Sequence, residues 1–105
     1  MNKMIVIVRD DLSDSYKMVQ GAHSLVQFAL EYPEIFKNWN NDYLIFLSVP
    51  NLIELRKRIN LAKKLNIKYC VFFEPDLDLQ QTAFCYKYTE DSEFGDIITK
   101  DLTLA

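Results

Sequence analysis

The chain has 105 residues and a mass of 12.4 kDa, with 50% apolar and 26% charged residues and a formal net charge of −3. That apolar content excludes a disordered chain, and two Gly with three Pro exclude a loop-dominated fold. There is room for one core, so residues 1–105 are read as a single domain.

Met4–Arg9 (MIVIVR) is an uninterrupted β-branched run, as expected of a strand buried on both faces. The chain turns acidic straight after it, without a small-residue cleavage site, unlike a signal peptide. Asp10–Asp14 is a polar turn in which Ser13 or Asp14 can cap a helix. From Ser15 to about Tyr32, Met18, Ala22, Leu25 and Ala29 step at i, i+4, i+7 and i+11, with Val19, Val26 and Leu30 beside them. That is a helical period. Pro33 stops the helix or starts a short second one, and Glu34–Asn41 is a connection carrying Trp39. Tyr43–Val49 (YLIFLSV) is a second strand, and like the first run it is too short to cross a bilayer, so no membrane partner is expected.

Pro50 and Asn51 open a second long helix with the stripe Leu52, Leu55, Ile59, Ala62 and Leu65, and Asn66 suits a left-handed C-cap. Lys68–Phe73 is a third strand, Glu74–Gln81 a polar turn and Thr82–Tyr88 a fourth strand. Asp91–Thr99 has helical character with Ser92 as its cap, and Lys100–Ala105 is a tail. Strand–helix–strand–helix–strand predicts three parallel strands. The Glu74–Gln81 turn is too short for a crossover, so the fourth strand should run antiparallel. The expectation is a three-layer α/β/α domain on a mixed four-stranded sheet.

In such folds the functional crevice lies beyond the carboxyl ends of the parallel strands. Arg9, Asp10 and Asp11, then Ser48, then Glu74 and Asp76 should gather there. Tyr16, Gln20, His23 and Gln27 form a polar stripe on one face of the first helix, beside the small Gly21 and Ala22. His23 is the only histidine, so it is either a proton carrier or a structural brace. One His and two separated Cys lack any ligand spacing, so no metal is expected, and nothing implies a cofactor. Cys70 and Cys85 read as small core residues, and two cysteines without a disulfide framework point to a reducing cytoplasm. Six of the twelve Lys and Arg fall between Arg56 and Lys68, including Lys57, Lys63 and Lys64. They make either a solvated helix face or a basic surface for nucleic acid.

The opening KMIVIVRDDL, the helix motif Gln20–His23, LSVPN (Leu47–Asn51), FFEPDLDLQQTA (Phe72–Ala83) and the closing DLTLA together resemble the type II peptidyl-tRNA hydrolase family. The likeness is closest to a short bacterial or phage-type branch of that archaeal and eukaryotic kind. It implies an esterase that frees a peptide from the terminal ribose of tRNA, and a homodimer. By the resemblance, Arg9 and Asp11 match the Arg-x-Asp-Leu strand end, and Gln20 and His23 match the helix motif. Glu74 stands for an Asp, and Thr82 for a downstream Thr. Glu74 or Asp11 would position water, and Gln20 and Thr82 would contact the ester. Lys17, Arg56, Lys57, Lys63 and Lys64 would meet RNA phosphates. The family's lysine before the Gln falls on Tyr16, and Lys17, one position on, is expected to point away from the Gln20 face. Two other readings stay open: a binding module that has lost the chemistry, and an enzyme acting on a small ester or amide.

Overall fold

The computed structural model, which describes residues 2–88 and 95–105, begins with the strand that the β-branched run predicts, β1 (Lys3–Arg9). Side chains along it divide between two cores. Met4, Val6 and Val8 face one side and Ile5 and Ile7 the other, as strand alternation requires. Helix α1 (Asp14–Glu31) and the short α2 (Pro33–Trp39) cover the first side, placing Phe28 and Trp39 in its core. Ser13 caps α1, its side chain accepting from the Tyr16 amide. Pro33 sits in the first turn of α2, where a missing N–H costs nothing. Strand β2 (Tyr43–Val49) then pairs parallel with β1, from Lys3↔Tyr43 to Arg9↔Val49.

Helix α3 (Leu52–Lys64) covers the second side with Leu55, Ile59 and Ala62, joined by Ile98 of α4 (Gly95–Thr99). Asn51 caps α3 by accepting from the Glu54 amide at 3.0 Å, and Asn66 follows it in the left-handed region at φ 56°. Strands β3 (Tyr69–Glu74) and β4 (Gln80–Tyr88) come next, and Thr103–Leu104 form β5. Asp91 and Ser92, the expected start and cap of the last helix, lie outside the described residues. No helix among the described residues is long and apolar enough to cross a membrane.

The sheet corrects the expected one. Among the described residues it has five strands in the order β3-β4-β1-β2-β5, and β1·β2 is the one parallel pair. The expectation is four strands, three parallel and one antiparallel. The difference lies in the link between β3 and β4: a 3-10 turn (Pro75–Leu77), then Asp78 and Leu79 at positive φ. So tight a return folds β4 straight back along β3, and β4 then takes the place beside β1. The last strand comes from the expected tail, where Thr103 and Leu104 pair antiparallel with Ser48 and Leu47. Because β3 and β1 are both antiparallel to β4, β3 still runs in the direction of β1 and β2. The carboxyl ends of these three strands therefore share one edge of the sheet.

Helix α1 is also turned relative to its apolar period. It buries Lys17, Gln20, Gly21, Ser24 and Phe28, and leaves Met18, Val19, Val26 and Leu30 exposed. The cause is the close approach at Gly21. A Cβ there would lie 2.5 Å from Cε2 of Phe46 and 3.1 Å from Cγ1 of Val8. Only glycine lets the helix axis settle on the sheet along this line, and its small and polar stripe follows it inward.

Candidate active site at the strand ends

Glu74 ends β3 and is 9% exposed. Its Oε1 accepts from Nε2 of Gln20 at 3.0 Å and from the Tyr16 hydroxyl at 3.1 Å. Both donors stand on α1, four residues apart, hence on one helix face. Gln20 is itself fixed from behind: its Oε1 accepts from the Thr82 hydroxyl at 2.5 Å, and both side chains are fully buried. That bond settles which way the amide points, because a carbonyl facing Thr82 leaves the NH2 facing Glu74. The Gln20 hydrogen bond, aided by the Tyr16 hydroxyl and a backbone N–H at Asp76, holds the Glu74 carboxyl below the usual glutamate range against the opposing effect of burial. The same carboxylate pushes the Tyr16 phenol upward, after burial, the larger cause.

Thr82 reaches this group through a defect in the sheet. Ala83 and Cys85 face α1, and Phe84 and Tyr86 face α3, so strict alternation would turn Thr82 toward α3. The register shifts between Phe72 and Phe73, which pair with Ala83 and Gln81, and Thr82 is left unpaired between them. This bulge turns the Thr82 hydroxyl to the α1 side. The turn before it is strained at Leu79, whose φ of 60° is rare for a residue with a Cβ.

Arg9 braces the neighbouring strand ends. The residue is 7% exposed, and its guanidinium donates to both oxygens of Asp11, at 3.0 and 2.8 Å. It also donates to Oε1 of Gln80 at 2.9 Å and to the Gln81 carbonyl at 3.2 Å. Asp11 is therefore engaged, its carboxyl held low mainly by the hydrogen bond from Arg9. Of the two carboxylates expected to position water, only Glu74 joins Gln20 and Thr82. His23 stands beside them, exposed, with its ring stacked on Phe72 at 4.3 Å and 8° between planes.

Lys17, expected to point away from the Gln20 face, lies on the buried side of α1 instead. Three residues at about 100° each bring it back to within about 60° of Gln20, and both are buried. Its Nζ donates to Asp10 at 2.7 Å and lies 3.6 Å from Asp14, so its charge is matched inside the fold. Arg56, Lys57, Lys63 and Lys64 are exposed along α3. Arg56 Nε donates to Oε1 of Gln81 at 3.1 Å, which ties the basic helix to the residue before Thr82. Arg58 is used otherwise, donating to the Ile98 and Lys100 carbonyls at 2.9 and 3.0 Å and so capping α4.

Cys70 and Cys85 are buried neighbours across β3 and β4, and burial pushes the Cys70 thiol up to about 12 and the Cys85 thiol up as well. Neither suits nucleophilic work. Among the described residues no group of three or more His, Cys, Asp or Glu could hold a metal ion. A cavity of ≈ 560 Å³ lies apart from the Glu74 group, along the outer edge of β3 between Tyr32 and Phe73. The Tyr16 bond to Glu74, the Phe72 stack and the bulge carry no sequence motif. The Gln80-Gln81-Thr82 run was the one visible sign that polar groups cluster after the turn.

No protein-family model matches the chain, and no curated protein matches it. Among solved structures it is similar to Atu0240, a protein of unknown function from Agrobacterium tumefaciens strain C58. The TM-score is 0.73 over 99% of this chain and 97% of that one, at 17% identity. At that identity the likeness carries the fold and nothing more.

Proposed function

We propose that this chain is a peptidyl-tRNA hydrolase-like esterase, cleaving the ester between a peptide and the terminal ribose of tRNA. The observation that supports it is the Thr82–Gln20–Glu74–Tyr16 chain of hydrogen bonds at the carboxyl end of β3. A carboxylate kept ionised accepts a hydrogen bond from an attacking water and steadies the positive charge that builds on it. Its lowered proton affinity makes Glu74 a group that orients water more than one that strips its proton. Gln20, held in one orientation by Thr82, keeps that carboxylate in place as the reaction proceeds. The exposed Arg56, Lys57, Lys63 and Lys64 supply the phosphate contacts, reaching the crevice through Arg56 and Gln81. Cytoplasmic tRNA as partner and a homodimer as assembly belong to the same reading.

The test is release of labelled peptide from a peptidyl-tRNA. Glu74→Gln should lower turnover by about 10²-fold or more, with folded protein confirmed by circular dichroism. Turnover at the wild-type rate in that variant rules out Glu74 as the working carboxylate. Reversing Arg56, Lys57 and Lys63 together to Glu should weaken tRNA binding and flatten its salt dependence.

One observation favours a second reading, a binding module without the chemistry. Where the resemblance calls for a lysine, Tyr16 places a neutral phenol whose hydroxyl is spent on Glu74. Tyr16→Lys separates the two readings. Raised turnover marks an enzyme with a weakened site, while tRNA binding without turnover in either form supports the module.

A further inference from the structure

The hydrogen-bonded chain leaves two side chains of the polar α1 stripe unused: Gln27, which donates to Glu31, and His23, which has no such partner among the described residues. Phe72 covers one face of its ring, nearly parallel at 8°. The residue as a whole is exposed. Neither imidazole nitrogen has a hydrogen-bond partner among the described residues. Phe72 lies two residues before Glu74 on the same strand face, and His23 lies three residues after Gln20 on α1. The stacked pair and the carboxylate are thus side by side. Val19, one turn before His23 on the same helix face, is 51% exposed.

We propose that the open face of His23, backed by Phe72, seats a purine base, so that the attached ribose lies toward Glu74. A planar ring with polar edges fits this place better than a phosphate does, because the Glu74 carboxylate lies beside it and Asp76 follows in the same turn. A stack needs only a π-face from its ligand, and a base held between solvent and an aromatic pair is a recurring way to hold single-stranded RNA ends. The proposal rests on the reading of Glu74 as the ester-facing carboxylate. A terminal adenosine stacked on His23 carries its ester one ribose away, beside that group.

Because His23 is the sole histidine, its ring protons give an unambiguous nuclear magnetic resonance signal. Adenosine should shift those protons upfield, ribose should not, and a short RNA with a 3′-terminal adenosine should do so at lower concentration. By equilibrium dialysis, His23→Ala and Phe72→Ala should each weaken adenosine binding about tenfold, while His23→Phe retains it. His23 is exposed, so its variants are expected to fold, and amide spectra check this. Equal shifts with ribose, no shift with adenosine up to its solubility, or unchanged binding by His23→Ala overturns the proposal. Turnover of peptidyl-tRNA without an adenosine shift would remove the stacking site and leave the hydrolase reading standing. An adenosine shift without turnover would do the reverse, keeping the base site and removing the esterase.

Discussion

Helices α1 and α3 cover opposite faces of one sheet, and they do so with opposite stripes turned inward. α3 buries Leu55, Ile59 and Ala62 and shows solvent Arg56 and its lysines. α1 buries Lys17, Gln20, Gly21 and Ser24 with a single large apolar residue, Phe28, and shows solvent Met18, Val19, Val26 and Leu30. Apolar burial stabilises by roughly 25 cal/mol per Å², whereas a buried polar group yields little net and only when fully partnered. α3 therefore holds its face of the domain together by burial. α1 is seated by Phe28 and by its approach at Gly21, and the rest of its buried face fixes where Gln20 and Tyr16 point.

The largest expected effects test that division of labour. Phe28→Ala should destabilise by about 3–5 kcal/mol and Leu55→Ala by about 2–5 kcal/mol, measured by urea unfolding. Both residues are fully buried. If α1 has no other large anchor, Phe28→Ala should also free its helix first, seen as early amide exchange in α1 alone. Exchange that quickens equally in α1 and α3 would mean the two helices are not held independently.

The next effect comes from the polar side. Thr82→Val keeps the shape but removes the donor to Gln20, leaving a buried carbonyl oxygen without a partner. The expected cost is about 1–3 kcal/mol. Combined with Gln20→Met, the loss should be clearly less than the sum of the two single changes, because the orphaned oxygen is gone. Strict additivity would show that the two side chains do not act as a unit.

This contrast also explains what the sequence could convey. The strands, the two long helices, both caps and the left-handed Asn66 are local features, written in β-branched runs, spacing and Asn or Ser at turns. Strand order is not local. Nothing in Glu74–Gln81 says that β4 will slip between β3 and β1, and a two-residue strand at Thr103 and Leu104 has no period to read. The inward face of α1 is hidden from the sequence because its apolar period is genuine yet points outward, while the deciding contact, Gly21 against Phe46, is tertiary. Gln20, His23, Glu74 and Thr82 were visible as candidates. Their joining depended on a bulge that reverses one side chain, and alternation alone hides it.

Acid should separate the two faces further. Glu74 titrates below the usual glutamate range in the fold, so its share of stability is complete above that range and fades as pH falls toward its folded value. Asp11, held low by Arg9, behaves in the same sense, and both belong to the strand-end edge that α1 covers. Glu74→Gln should therefore flatten part of the acid limb of a stability–pH curve, with the Asp11 part remaining. An acid limb unchanged by this variant would mean that Gln20 and Tyr16 do not favour the ionised form.

The smallest effect is the most telling about α1. Leu30 is 73% exposed, and Leu30→Lys should change unfolding free energy by no more than about 0.5 kcal/mol. The same change at Ile59, 8% exposed on α3, would bury an unpaired charge and is expected to prevent folding. A reading from apolar period alone treats the two leucine-like positions as equivalent, since each belongs to a helical stripe. They differ only in which stripe the sheet selected, and on α1 the selection followed the glycine. A loss at Leu30 of several kcal/mol would mean that α1 lies on the sheet by its apolar side, which would also withdraw Gln20 and Tyr16 from Glu74.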